Sequence, residues 1–340
     1  MSVQISLGLQ TDKAPGRYGE LAAHAEELGF DGVSVFSDLW FQPSIVALLE
    51  MAERTKRIRL GCACWNPFLI HPVELTGMAA ALYSRTEGRA YLGIARGTWL
   101  DDLGVRPERP LGALREAIAV IRALWSGDTS GVPGRTFSLA PGVGLRTELP
   151  DAPLSVLVGS WGERGAALAG ETADEIKIGG SANPAMVEVT RQRLAPGLER
   201  AGRPPGDVGV VLGAVTVVDR DGAAARAAAR AQVAMYVDAI AAYDPTVTLP
   251  EGMLERVRES LAQGDAAAAG AWIPRDVLDR FAFSGSPDDI AEQAAGLVAA
   301  GVDRIEFGTP HGIDEREGID LLGRAVLPAL ASLRTDTPES

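Results

Sequence analysis

The chain has 340 residues, of which 46% are hydrophobic and 23% charged, so it can bury a large core as one big domain or two medium ones. Its net charge of −13 argues against binding to nucleic acid or to an anionic membrane, because both need a concentrated basic surface. The two cysteines are too close together to staple a fold, and so few cysteines suit a reducing compartment. The amino-terminal residues have no signal-like pattern, so we expect a cytoplasmic protein.

Short β-branched runs alternate with longer helical patterns along the chain. The helical patterns cover residues 18–28, 43–54, 73–85, 110–126, 162–170 and 184–201. Eight strands are predicted, over residues 3–9, 33–36, 58–67, 90–95, 154–158, 175–178, 208–218 and 302–307. Residues 127–153 are rich in Gly and Pro without a period, so we expect an irregular excursion there.

Successive strand-then-helix units predict parallel strands joined by right-handed crossovers, and eight such units close into a (β/α)8 TIM barrel. An open doubly wound sheet is the alternative, but no Gly-x-Gly-x-x-Gly follows the first strand. Residues 222–271 are alanine-rich, helical in pattern and too long for one crossover, so we expect a helical insertion between strands seven and eight, over about residues 222–283. We therefore expect a single domain over residues 1–335 and a disordered tail at 336–340.

Three polar residues follow predicted strands, at the end of a barrel where ligands bind. Asp38 follows the second strand and can accept a hydrogen bond from a ligand or cap the next helix. Arg96 follows the fourth strand and can bind an anion or pair with a carboxylate. His311 follows the eighth strand and can donate a proton near neutral pH or lie exposed on a loop.

Glycine clusters follow the fifth and sixth strands, at Gly159-Ser160-Trp161-Gly162 and Gly179-Gly180-Ser181. Glycine lets the backbone approach an anion and a helix amino terminus adds free N–H groups, so the two clusters predict a phosphate site, although turns also need glycine. Cys62 and Cys64 are two apart on a predicted strand and should point to one face. With three histidines in the chain, the cysteines are more typical of buried thiols than of a zinc site.

Several motifs resemble the bacterial luciferase-like superfamily. They are Ser37-Asp38, residues 60–68 with His71-Pro72, residues 92–97, residues 159–162 and residues 173–184. Together they cover essentially the whole chain and are most similar to methylenetetrahydromethanopterin reductases and related oxidoreductases that use the deazaflavin coenzyme F420. Members often carry His after the Asp of the second strand. Here Leu39 follows Asp38, so the family's proton donor at that position is replaced and methanopterin is disfavoured as the substrate.

The resemblance implies coenzyme F420 as the cofactor, with FMN as the alternative. The residues it places at the cofactor are Asp38, Cys62, Ala63, Cys64, Arg96, Gly159, Ser160, Trp161, Gly162, Gly179, Gly180 and Ser181. It also implies a non-prolyl cis peptide at Ala63-Cys64 and a homodimer formed through the helices that follow the second and third strands. The candidate catalytic residues are Asp38 and His311. Candidate substrate walls are Trp40, Trp65 and Trp99, which can equally be ordinary core aromatics.

We therefore expect an oxidoreductase that moves a hydride between coenzyme F420 and a small organic substrate, as a reductase of a C=C or C=N bond. The cofactor carries the redox chemistry, and the protein supplies orientation, desolvation and charge placement. Two alternatives stay open, an FMN-dependent monooxygenase on the same fold and a barrel that binds a flavin without turnover. We expect no metal, nucleic acid or membrane as a partner.

Overall fold

A computed structural model describes residues 3–335 of the chain. Its strands are β1 (Gln4–Leu9), β2 (Gly32–Val35), β3 (Arg59–Cys62), β4 (Ala90–Ala95), β5 (Ser155–Gly159), β6 (Glu175–Gly179), β7 (Gly209–Val218), β8 (Ala282–Gly285) and β9 (Arg304–Gly312). Its α-helices are α1 (Arg17–Leu28), α2 (Ser44–Arg54), α3 (Pro72–Arg85), α4 (Pro110–Ser126), α5 (Glu163–Thr172), α6 (Ala185–Ala201), α7 (Gly222–Ala234), α8 (Val237–Ile240), α9 (Met253–Ala262), α10 (Ala266–Ala271), α11 (Arg275–Phe281), α12 (Pro287–Ala299), α13 (Glu315–Leu321) and α14 (Leu327–Thr335). The predicted disordered tail, residues 336–340, lies outside the described residues.

Eight of the strands form a closed parallel barrel. Neighbouring strands pair in the order β1, β2, β3, β4, β5, β6, β7 and β9, and β9 then pairs with β1. Helices lie between successive strands and cover the outside of the barrel. The predicted TIM barrel is therefore confirmed.

A ninth strand, β8, was not predicted from the sequence. It exists because β7 is ten residues long and pairs differently along its length. The first half of β7 pairs with β6, whereas its second half, from Val215 to Val218, pairs with β8. The ninth strand thus widens the wall of the barrel at its carboxyl end, beside β6.

Strand alternation divides the barrel residues into two sets. The outward set is apolar and packs against the helices; in β1, for example, Ile5, Leu7 and Leu9 are at most 1% exposed. The inward set contains many small, polar and charged residues, such as Ser6 and Gly8 on the same strand. The main apolar core therefore lies between the strands and the helices, and the barrel interior is left for polar side chains.

Helices α7 to α11 form the predicted insertion, between β7 and β8, and they have an apolar cluster of their own around Val233, Val257 and Phe281. Asn183, which follows β6, anchors this insertion. Its side-chain amide donates to Asp244 at 2.8 Å and to Thr246 at 2.7 Å, and both of these residues belong to the insertion. Among the residues that the structure describes, no helix is long and apolar enough to cross a membrane.

Candidate functional site

The chain leaves β3 at the carboxyl end of the barrel and forms a small platform at Ala63 and Cys64. The peptide bond between these two residues is cis, as the resemblance implied, and both residues are half-buried. The Ala63 N–H donates to the Val35 carbonyl at 2.9 Å, which ties the platform to β2. On the other side, a Cβ added to Gly93 would lie 2.0 Å from the Cys62 carbonyl oxygen, so β4 approaches as closely as glycine allows.

The two cysteines lie on opposite sides of the platform, so the prediction that they share a face is wrong. The Cys62 thiol points towards α2, 3.5 Å from the Ser44 hydroxyl, and burial raises its pKa well above the ordinary value. The Cys64 thiol faces the barrel interior, where burial raises its pKa to about 12. The strand ends at Cys62, so its alternation does not extend to Cys64. Only the main chain of Cys62, and not its side chain, can meet a ligand on the platform.

A buried ion pair lies inside the barrel at the level of the platform. The Lys177 ammonium, on β6, donates to the Glu306 carboxylate, on β9, and lies 4.8 Å from the centre of the Phe36 ring. The second carboxylate oxygen of Glu306 has no partner among the described residues. Our sequence reasoning missed this pair. The signal was a pair of charges alternating with apolar residues in each strand, Glu175 and Lys177 on β6 and Arg304 and Glu306 on β9, which alternation directs into the barrel.

A second charged group fills the lower part of the barrel. Glu175 accepts from Arg59 at 3.0 Å and from Arg304 at 3.2 Å. Burial is the largest single influence and opposes ionisation of Glu175, but the two guanidinium groups together hold its pKa below the ordinary value. The Tyr91 ring packs against Arg304, and its hydroxyl lies 2.6 Å from Ser34. These side chains fill the lower barrel.

Asp38 lies at the rim of the barrel mouth. Its carboxylate is half-buried and accepts a hydrogen bond from the Gln10 side chain at 2.8 Å. Helix α2 begins later, at Ser44, with Pro43 in the capping position, so the alternative role of Asp38 as a helix cap does not apply. Asp38 and Gln10 thus form a polar pair on the segments that follow two neighbouring strands, β2 and β1, at the mouth.

His311 lies in the extended end of β9 and is fully buried, which contradicts the alternative of an exposed loop residue. Its Nε2 is 3.1 Å from the Phe307 carbonyl oxygen, and its Nδ1 has no partner among the described residues. Burial, followed by the positive charge of Lys13, lowers the pKa of His311 to about 4. A pKa this low contradicts the prediction that His311 donates a proton near neutral pH, because burial favours the neutral imidazole.

The three candidate wall tryptophans divide into two kinds. Trp65 is fully buried, and its indole N–H donates to the Ser44 hydroxyl at 2.9 Å, so it is a core residue rather than an open wall. Trp40 and Trp99 follow β2 and β4, on either side of the platform, and are 73% and 53% exposed. Both have a positive φ, which is rare for a bulky residue. Two large aromatic side chains are thus held in water at the rim.

Arg96 follows β4 and is exposed. It has no hydrogen bond or ion pair among the described residues, so the alternative of a carboxylate partner does not apply. Neighbouring Gly97 has a φ of +85°, and the Asn66 side chain packs where its Cβ would lie. Arg96 is therefore a free cation beside the platform.

The two glycine clusters differ in how many backbone donors they leave free. After β6, the N–H groups of Gly180 and Ser181 both donate to the Gly213 carbonyl, at 2.6 and 3.0 Å. Gly180 has a φ of +83°, and its added Cβ would lie 2.8 Å from Ile240 of the insertion. The two amides are thus bonded to β7 rather than free, and the predicted role of this cluster as an open phosphate cradle is wrong for them.

The cluster after β5 has free donors. Ser160 donates its N–H to the Lys177 carbonyl at 3.2 Å, but the N–H groups of Trp161 and Gly162 have no partner among the described residues. Helix α5 begins at Glu163, so its first-turn amides also point outward. The Trp161 indole donates to the Gly179 carbonyl at 2.9 Å and links the two clusters. An anion fits the first cluster better than the second.

Comparison with known proteins gives the context for this geometry. Residues 1–304 match the luciferase-like monooxygenase family. The chain belongs to that family. One luciferase-like relative, the 5,10-methylenetetrahydromethanopterin reductase of Archaeoglobus fulgidus, is 31% identical over 317 residues, which cover 90% of this chain and 93% of the relative. Another, the F420-dependent glucose-6-phosphate dehydrogenase of Rhodococcus erythropolis, is 26% identical over 98% of this chain and 100% of its own length.

Among the solved structures there is a protein with the same fold. The coenzyme F420-dependent tetrahydromethanopterin reductase from Methanopyrus kandleri superposes with a TM-score of 0.87, at 24% identity, over 96% of this chain and 99% of that one. At this identity the superposition establishes the fold alone.

Proposed function

We propose that the protein is an oxidoreductase that uses coenzyme F420. The observation that carries the proposal is the half-buried platform of Ala63 and Cys64 at the carboxyl end of the barrel, above the buried pair of Lys177 and Glu306. Such a floor suits a planar ring with a polar edge, in a place where barrel enzymes bind their ligands. The choice of F420 over FMN is supported by the names of the relatives.

The residues at the mouth fit a cofactor with a ring and a phosphate-bearing tail. We assign the ring to the platform, and the phosphate to the free amides of Trp161 and Gly162 with the start of α5. Arg96 adds an unpaired cation on the neighbouring loop. When bound, the deazaflavin supplies a carbon that accepts or donates a hydride.

The protein's own residues orient the reactants and exclude water. The platform fixes the position of the ring, and the filled lower barrel removes water from beneath it. Asp38, the half-buried acid at the rim, is our candidate for holding or moving a proton of the substrate, with Gln10 fixing its orientation. The buried neutral His311 has no part in this proposal.

The substrate that we propose is a small organic molecule with a C=C or C=N bond that is reduced by the coenzyme. The exposed rings of Trp40 and Trp99 would cover it from the two sides of the mouth. Leu39 stands where related enzymes often have histidine, so we do not propose methanopterin itself. The cytoplasm as the location is part of this proposal.

We also propose a twofold homodimer through α2 and α3. Gly77 on α3 has open space around its missing side chain, and Val46 on α2 is 56% exposed. Such a surface permits close helix contact with a second copy. Light scattering at micromolar concentration should give twice the mass of the chain, and a monomer mass would exclude the dimer.

The test of the function is a pair of binding titrations with coenzyme F420 and FMN. We expect micromolar or tighter affinity for F420, much weaker affinity for FMN, and hydride transfer at the same rate with and without oxygen. Tight FMN binding with oxygen-dependent turnover would replace the proposal with the monooxygenase. A bound cofactor that stays oxidised with every donor and acceptor would indicate a flavin-binding barrel without turnover.

A further inference from the structure

The barrel strands contain an excess of positive charge. Their charged residues are Arg59, Glu175, Lys177, Arg304 and Glu306, which are three cations and two carboxylates. This balance is unexpected in a chain with a net charge of −13. Arg59 and Arg304 both pair with Glu175 in the lower barrel, so of these five charges Lys177 and Glu306 lie nearest the platform.

The excess charge is also incompletely hydrogen-bonded. Nε and one terminal nitrogen of Arg304, and one oxygen of Glu306, have no partner among the described residues. The Lys177 ammonium has three donors, and a single hydrogen bond, to Glu306, accounts for one of them. Buried charges with unused bonding capacity are costly to a fold, so their presence indicates a task other than stability.

Lys177 is the member of the pair that borders the platform. A Cβ added to Gly159 would lie 2.9 Å from the Cys64 sulfur. Gly159, on β5, is paired in the sheet with Lys177, on β6. The Lys177 side chain is 7% exposed, against 1% for Glu306. The charge of Lys177 also influences the pKa of the Cys64 thiol more than the charge of Glu306 does, which places the ammonium as the nearer of the two charges to Cys64.

We propose that Lys177 favours the reduced form of the ring that binds on the platform, and that Glu306 is a positioning residue that holds Lys177 and moderates its charge. A hydride brings two electrons and one proton to the ring, which gains one negative charge as the hydride donor is oxidised. A cation in a site shielded from water stabilises that negative charge. The oxidised ring lacks the charge, so the cation stabilises the oxidised ring less. The proposal rests on the proposed function only for the identity of the ring, because a flavin would respond in the same way.

The experiment compares the dissociation constants of oxidised and reduced coenzyme F420. The ratio of the two constants is the preference for the reduced form. Lys177→Met should lower this preference about tenfold, which is 29.6 mV for a two-electron couple. Glu306→Gln leaves the ammonium uncompensated and should raise the preference, by about threefold. The exposed Lys56→Met, which removes the same charge before the start of β3 and thus at the opposite end of the barrel from the platform, should leave the preference unchanged within about twofold.

A purely structural ion pair would not shift the preference in opposite directions in Lys177→Met and Glu306→Gln. Equal preferences in the wild type, Lys177→Met and Glu306→Gln, or shifts in the same direction, would overturn the proposal. Each single change leaves a buried charge unpaired, so thermal melting checks folding. Should either variant not fold, the double variant Lys177→Met, Glu306→Leu carries the test. Its preference should fall about threefold, because the group nearer the ring is lost, and no fall would overturn the proposal.

The outcome for the function is read separately from the same titrations. Failure of the wild type to bind oxidised F420 contradicts the proposed function. If the wild type then binds FMN, the preference is measured with FMN, and the same opposite shifts are expected. If F420 binds and the variants do not shift, the function stands and the role of Lys177 falls.

Discussion

Replacing Gly93 with Ala tests how the platform is held. The added Cβ would lie 2.0 Å from the Cys62 carbonyl oxygen, whereas ordinary contacts begin near 3.4 Å, so the two must separate by about 1.4 Å. Neither side can move freely. The Gly93 carbonyl accepts from Trp65 at 2.9 Å, and the platform is bonded to β2 through Ala63. We therefore expect a cost at the upper end of the usual range for overpacking, about 3 kcal/mol.

The assay is urea unfolding of the wild type and Gly93→Ala, with thermal melting as a second measurement. At about 2 to 4 °C per kcal/mol for a large domain, the melting temperature should fall by about 6 to 12 °C. Gly296→Ala is the matched control, since Gly296 lies inside α12 and its added Cβ meets only Pro184, at 3.4 Å. That change should stabilise by about 0.5–1 kcal/mol. A Gly93→Ala protein within about 0.5 kcal/mol of the wild type would refute the close approach.

Two further predictions concern the rim and the buried histidine. Trp40→Ala and Trp99→Ala should each raise KM for the substrate at least about fivefold. The affinity for the coenzyme should stay within about twofold and the melting temperature should not change. An unchanged KM in both variants would exclude the two tryptophans as walls of the substrate site. Burial lowers the pKa of His311 to about 4, so between about pH 6.5 and 4 the unfolded chain binds a proton that the folded chain does not. The free energy of unfolding should therefore fall as the pH falls through this window, and urea titrations should find a weaker fall in His311→Gln; the same pH dependence in both proteins would contradict a buried neutral imidazole.

The barrel was predictable because each of its strands carries a local signal. The β7 prediction, residues 208–218, nearly matches Gly209–Val218, since a long β-branched run needs no distant partner to be recognised. The four residues of β8 carry no such signal, and they are a strand only because the upper half of β7 lies beside them. The same holds for the last residues of β9, where Pro310 and His311 would normally end a strand but pairing with β7 continues.

The site was predictable to a smaller extent. Asp38 and Arg96 could be placed at the mouth because each follows a recognisable strand. The side of the barrel that each cysteine faces depends on where β3 stops, which sequence periodicity does not determine to one residue. Whether the amides of a glycine cluster are free depends on contacts with Gly213 and with the insertion, which are distant in sequence from the clusters. The ion pair of Lys177 and Glu306 is within reach of strand alternation, because the charges of β6 and of β9 alternate with apolar residues.

The insertion between β7 and β8 has a consequence for how this enzyme can diversify. Its apolar cluster is separate from that of the barrel, and near the mouth it presents Tyr236 and Ile240 against Gly180. Substitutions inside the insertion can therefore reshape one side of the entrance while the platform and the buried pair of Lys177 and Glu306 keep their geometry. A laboratory seeking new substrates should exchange this segment as a cassette, retaining Asn183 as the attachment point, and leave the eight barrel strands untouched.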